Sequence, residues 1–247
     1  MIGVFDSGVG GLSAFLPLRS LLPSADLLYY ADTAALPLGE KSDGEILARV
    51  RRALGFFERM GVSGVLLACG TASSLFTEKC KEEFPFPIID IISPTAMAAK
   101  SLAKNARILL LATPAAVRSG VFATAVAGRG RTVFSLACPH FVRLAEKGAP
   151  HDLSVLQKTL APAIPLAPTA VLLGCTHFSL LHEDISTILP GTRLIDAAAC
   201  GAAACAARLS EMGRGEERFF VTGDPRLFER RASATLHREI EALKITT

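Results

Sequence analysis

The chain has 247 residues, 50% of them hydrophobic and 20% charged, with 26 Lys and Arg against 23 Asp and Glu and a formal net charge of +3. That length holds one large domain or two small ones, and the apolar fraction supplies a sizeable core, so wholesale disorder is excluded. So small a positive excess gives no footprint for nucleic acid or an anionic membrane, and 14 Phe, 2 Tyr and no Trp make no base-stacking platform.

Short runs rich in Val, Ile and Leu predict strands, and longer amphipathic stretches predict helices. In chain order these are strand 1–5, helix 12–22, strand 26–31, helix 42–60, strand 64–68, helix 72–84, strand 88–92, helix 95–104 and strand 107–112. Helix 115–127, strand 132–136, helix 153–160, strands 170–173 and 193–195, helix 197–212 and strand 218–221 follow. Ser42-Asp43-Gly44-Glu45 offers a capping box, in which Ser42 accepts from the amide three residues on and Glu45 reaches back. Pro94 and Pro114 stand where a strand hands over to a helix. Three prolines make 161–168 a connector rather than a helix. Near-continuous apolar strands between helices indicate an α/β fold of parallel sheets covered on both faces.

The longest apolar runs, such as 108–112, are far shorter than a membrane span. The beginning, Met1-Ile2-Gly3-Val4-Phe5-Asp6, has no basic segment with a long apolar stretch behind it, so no signal peptide and a cytoplasmic location are expected. None of the six cysteines forms a C-x-x-C pair, which makes zinc ribbons and thioredoxin-like chemistry poor readings and reduced thiols the expectation.

One repetition stands out. Gly64-Val65-Leu66-Leu67-Ala68-Cys69-Gly70-Thr71 resembles Ala170-Val171-Leu172-Leu173-Gly174-Cys175-Thr176, about one small domain further along. Each is a buried-strand run, a small residue, Cys, then Thr. Two similar halves facing each other across a cleft would explain it. Both cysteines fall just past the end of a parallel strand, where open α/β sheets bind their ligands, and just before a helix whose amides favour thiolate. A free cysteine is ordinarily a small buried hydrophobe; two in matching positions point instead to a working pair.

Beside Cys175 stand Thr176 and His177, an imidazole that could hold a thiolate or protonate a carbanion. The turn Asp6-Ser7-Gly8-Val9-Gly10-Gly11-Leu12-Ser13 permits close backbone approach to a ligand, with Asp6 and Ser7 projecting to bind an ammonium group or steer a base. Ser13 spoils the dinucleotide fingerprint, and no Gly-Lys-Ser/Thr follows. Exposed amides near Gly39 suit a carboxylate. A Cys175–His177 amide hydrolase is an alternative that leaves Cys69 idle, and a non-catalytic binding protein is another.

Taken together, these segments resemble the glutamate racemases of the cofactor-independent aspartate/glutamate racemase superfamily. The resemblance rests on 2–12, Tyr30-Ala31-Asp32-Thr33, Ala68-Cys69-Gly70-Thr71-Ala72-Ser73, Cys138-Pro139-His140-Phe141-Val142, Leu173-Gly174-Cys175-Thr176-His177 and Val221-Thr222-Gly223-Asp224. It implies two similar α/β domains, 1–92 plus 204–247 and 93–203, each a mainly parallel sheet flanked by helices, with the active site between them. It implies inversion at the α-carbon of glutamate, with Cys69 and Cys175 as catalytic thiols assisted by Asp6 and His177. Cys69 would abstract from the D-isomer and Cys175 from the L-isomer. Ser7, Pro37, Leu38, Gly39, Gly70, Thr71, Thr113 and Thr176 fall at substrate positions, and Asp32 and Glu146 match supporting ones. No metal, pyridoxal phosphate or nicotinamide is implied; a homodimer is left open, and the product D-glutamate would feed peptidoglycan. The chain departs from the family at Gly70, where Asn is usual, at Leu38 for Tyr, at Ala116 for Thr, and at Phe178-Ser179 for Tyr-Pro. These departures keep a related racemase, such as one for aspartate, in view.

Overall fold

The computed structural model describes residues 1–128, 130–209 and 213–245. Among them ten strands form two sheets: β1 (Ile2–Asp6), β2 (Leu27–Ala31), β3 (Gly64–Leu67), β4 (Ile88–Asp90), β5 (Arg107–Ala112), β6 (Thr132–Ala137), β7 (Ala170–Leu173), β8 (Arg193–Asp196), β9 (Glu217–Val221) and β10 (Ala242–Lys244). The first sheet runs β10-β9-β2-β1-β3-β4, the second β6-β5-β7-β8, and every pairing is parallel. The expected α/β class of parallel sheets flanked by helices is what the chain adopts.

The helices are α1 (Leu12–Leu21), α2 (Asp43–Arg59), α3 (Gly70–Leu75), α4 (Glu78–Lys81), α5 (Ile92–Ala99), α6 (Pro114–Ser119), α7 (Val121–Val126), α8 (Pro139–Lys147), α9 (Leu153–Leu160), α10 (Thr176–Ser179), α11 (His182–Ile188), α12 (Ala197–Arg208) and α13 (Pro225–Leu236). Two predicted helices are broken. The stretch 72–84 is α3 and α4, parted at Phe76 where ψ swings to 88°. The stretch 115–127 is α6 and α7, parted by Gly120 in the left-handed region at φ 68°. The predicted connector contains a 3₁₀ turn, Ala161–Leu166, with Pro162 at its start and Pro165 inside it. The last three residues of the predicted helix 197–212 lie outside the described residues.

Side chains alternate between the faces of each strand, and the core divides accordingly. In the first sheet, Phe5, Leu28, Tyr30 and Leu67 pack outward on Ile46, Val50, Leu54 and Phe57 of α2. In the second, Leu109, Leu111, Val171 and Leu173 pack on Phe141, Leu156 and Phe178. The remaining faces of both sheets share one interior: Val4, Tyr29 and Leu66 belong to the same cluster as Ile108, Leu110 and Leu172, with α1 and α12 supplying Leu12, Phe15, Leu18 and Ala202. The sheets therefore cannot slide independently, and the ends of β1, β3 and β7 are held toward one another.

Only half of the predicted capping box forms. Ser42 Oγ accepts from the Glu45 amide at 3.3 Å, while the Glu45 carboxylate accepts from Arg49 Nε one turn on. Replacing Ser42 by Ala should cost about 0.5–2 kcal/mol, and Glu45→Ala should cost less, because its ion pair is solvent-exposed. Urea unfolding of the two variants checks the order.

Candidate active site

Cys69 leaves β3 as the residue capping α3, and Cys175 leaves β7 as the residue capping α10; each is 4% exposed. Their strands meet at backbone level. A Cβ on Gly70 would run into the Gly174 carbonyl oxygen and lie 3.5 Å from the Cα of Cys175. The glycine that stands where the resembling family has Asn is thus the point of contact between the two thiol-bearing turns. Sequence reading saw there only a lost amide side chain; the structure shows a seam in which no side chain fits.

The other expected residues gather around this seam in two groups. On one side Asp6, fully buried at the end of β1, accepts from the Gly8 amide at 2.9 Å and the Thr176 hydroxyl at 2.8 Å. Ser7 is buried beside it. His177 follows on α10, with Nδ1 4.0 Å from Cys175 Sγ and Nε2 2.7 Å from Glu146 Oε1. On the other side the Thr71 and Thr113 hydroxyls hydrogen-bond each other at 2.8 Å, joining α3 to the start of α6. The turn carrying Pro37, Leu38 and Gly39 folds over Thr113, so closely that a Cβ on Gly39 would approach the Thr113 Cβ to 2.5 Å. Leu38 and Ala116 are buried and apolar, the latter offering its amide to Thr113 Oγ1 at 3.4 Å. Phe178 packs edge-on against Phe141 and Ser179 donates to Asp196, so both departures after His177 serve packing.

Asp32 does not join either group. It accepts from Thr222 Oγ1 at 2.8 Å and from Arg49 Nη1 at 3.3 Å, tying β2 to α2 and to the residue after β9. Its contacts support the scaffold rather than the sulfurs.

Electrostatics separate the two thiols. Burial pushes the Cys69 thiol far above the ordinary cysteine range, the nearby Asp6 charge adds to it, and the Thr71 and Ala72 amides offset only part. The helix-end effect expected from sequence is present but is outweighed by desolvation. Burial also raises Asp6, in spite of the His177 charge and two hydrogen-bond donors. His177 behaves oppositely. Burial alone would depress it, yet contacts with Cys175 and Glu146 and the charges of Glu146 and Asp6 hold it well above its usual value. Glu146, buried too, is held below the carboxylate range by His177, the Val9 amide and Arg231. The site is thus a closed, nearly dry arrangement of two sulfurs, a charged imidazole and buried carboxylates, suited to moving a proton between opposed groups.

Sequence reasoning missed three participants. Tyr29 donates to Gly8 O at 2.7 Å, the Val9 amide donates to Glu146 at 3.0 Å, and Arg231 Nη1 donates to Glu146 Oε2 at 2.7 Å. Arg231 sits 85 positions from its partner on a helix not anticipated, whose one signal was Asp224-Pro225, a capping residue followed by proline at the first turn. Among the described residues no group of three or more His, Cys, Asp or Glu is arranged to hold a metal ion, and no helix is long and apolar enough to cross a membrane.

Known proteins of similar sequence and fold cover nearly the whole chain. The profile of the Asp/Glu/Hydantoin racemase family matches residues 19–205. A glutamate racemase of Thermus thermophilus is 38% identical over 256 residues, covering 98% of this chain and 95% of that protein. Its solved counterpart from the same species, in complex with beta-chloro-D-alanine, superposes with a TM-score of 0.88 at 35% identity, covering 99% of this chain and 96% of that one. A glutamate racemase of Francisella tularensis in complex with D-glutamate gives 0.90 at 28% identity, covering 99% and 97%.

The seam predicts the effect of any side chain at position 70. Gly70→Ala should destabilise the closed arrangement by about 1–3 kcal/mol, raising the open population roughly 5- to 150-fold. The folded variant should react with Ellman's reagent faster than the unsubstituted protein, in proportion to that population.

Proposed function

The chain belongs to the Asp/Glu/hydantoin racemase family and is a glutamate racemase by its likeness to that group over nearly its whole length; from this we propose that it interconverts L- and D-glutamate with Cys69 and Cys175 as an opposed acid–base pair. The observation that carries the reading is the meeting of the two thiol-bearing turns at Gly70 and Gly174. One sulfur removes the α-proton from one face and the other delivers a proton to the opposite face. A lone base would return the proton to the side it came from, so inversion needs two. Transfer through positioned groups is what a preorganised, water-poor site favours.

The pair needs one thiolate and one thiol at rest. We assign the acid role to Cys69, where burial and Asp6 favour the protonated thiol, and the base role to Cys175 from its position 4.0 Å from His177 Nδ1. The free enzyme is then poised to take the proton of L-glutamate on Cys175 and to protonate the carbanion from Cys69, leaving D-glutamate and the two protonation states exchanged. Thr71, Thr113 and Thr176, with the backbone around Ser7 and Gly39, surround the substrate; opening the Thr71–Thr113 hydrogen bond frees two hydroxyls for a carboxylate. Gly70 removes an amide side chain from that shell, and the tight closure it permits compensates by excluding water. Pro37 and Leu38 form the apolar wall of the same shell. We assign residues 1–92 with 204–247 to one half of the cleft and 93–203 to the other, and D-glutamate to peptidoglycan supply in the cytoplasm.

Circular dichroism should show interconversion of L- and D-glutamate with no added cofactor, lost in both Cys69→Ala and Cys175→Ala. Limiting iodoacetamide near neutral pH should label Cys175 ahead of Cys69 by peptide mapping. No inversion of glutamate, with inversion of another amino acid, would reassign the substrate; equal labelling would refute the resting assignment.

A further inference from the structure

Glu146 is 4% exposed, yet both its oxygens are engaged. Oε1 accepts from His177 Nε2 at 2.7 Å and from the Val9 amide at 3.0 Å, and Oε2 accepts from Arg231 Nη1 at 2.7 Å. Three donors from three elements, α10, the turn after β1, and α13, fix the plane of one carboxylate. The two on Oε1 and the one on Oε2 are not equivalent. His177 belongs to the thiol side of the cluster, whereas Arg231 lies, with Val9, along an open groove bordered by Lys147, His151, Arg230 and His237.

We propose that Arg231 is a positioning residue for the racemisation: by holding Glu146 Oε2 it keeps Oε1 aimed at His177, and its charge moderates how strongly the carboxylate holds the imidazolium beside Cys175. This rests on the two-thiol reading above. The groups facing His177 are Asp6 at the end of β1, Glu146 on α8 and Cys175 on its own turn. The first two are acids, and both favour the charged ring. Arg231 is the cation in direct contact with Glu146, the acid that meets the ring. Without it, Glu146 would meet His177 with an uncompensated charge and with freedom to rotate about its side chain. The ring would hold its proton more tightly and be less well fixed next to the sulfur. A single end-on contact from Nη1 makes charge the main requirement, so lysine should substitute in part.

The test measures His177 directly as well as turnover. In Arg231→Leu, the imidazole resonances of His177, followed by NMR in the free enzyme, should titrate about one pH unit higher, a tenfold change in proton affinity. The kcat from L-glutamate should fall roughly tenfold with KM within about twofold. Arg231→Lys should recover most of both changes. If Arg231→Leu does not fold, Arg231→Gln, which keeps a donor without the charge, should show the same upward titration. An unchanged His177 titration in a folded Leu or Gln variant would overturn the proposal, as would a lysine variant no better than leucine. A wild-type enzyme unable to invert glutamate would instead overturn the two-thiol reading, and the NMR titration would still report on Arg231.

Discussion

Where Gly70 lies against the Gly174 carbonyl, the turns after β3 and β7 come so near that a Cβ on Gly70 would collide with the carbonyl oxygen. This approach sets the width of the site. It is possible because β3 and β7 sit inside parallel sheets whose inner faces share one hydrophobic cluster, so the strand ends are fixed by the core rather than by surface loops. Parallel sheets present the carboxyl ends of their strands on one edge. Two such edges turned toward each other bring the turns of the two capping cysteines together, Gly70 after the first against Gly174 before the second.

A site this buried has an electrostatic consequence. Desolvation disfavours every charge inside it, and the cluster answers with hydrogen bonds that single out some groups for ionisation. Burial raises Asp6 and Cys69, while against the same burial Glu146 is held charged by His177, the Val9 amide and Arg231, and His177 by its contacts with Cys175 and Glu146 and the charge of Asp6. The two thiols, alike in sequence setting, thereby acquire different surroundings. In the proposed mechanism, the similar strand ends would supply the two thiols and their unlike neighbours the direction.

The sheets were legible because buried parallel strands are short, apolar and bounded by turn residues. Nine of the ten described strands follow from that pattern, and the tenth, Ala242–Lys244, escaped as a three-residue edge strand with two exposed positions. Helices α8 and α13 were missed although each carries a proline at its first turn, Pro139 and Pro225, and α8 is strongly amphipathic. The likeness of the Cys69 and Cys175 turns was visible as a repeat, since each cysteine follows a buried strand and caps the next helix. What could not be read were contacts spanning long separations. Nothing in the local sequence of Gly70 names Gly174 as its neighbour, and nothing near Arg231 names Glu146. Asp32 shows the converse, for a residue in a family-like motif turns out to brace the scaffold through Arg49 and Thr222.

The opposed-thiol account is tested most directly by the fate of the α-hydrogen. When L-glutamate is converted in D2O and sampled at low conversion, the D-glutamate formed should carry deuterium at the α-carbon, while the remaining L-glutamate keeps protium. D-glutamate that retains the original hydrogen, or starting isomer that exchanges as fast as it inverts, would show a single base acting on both faces and contradict it.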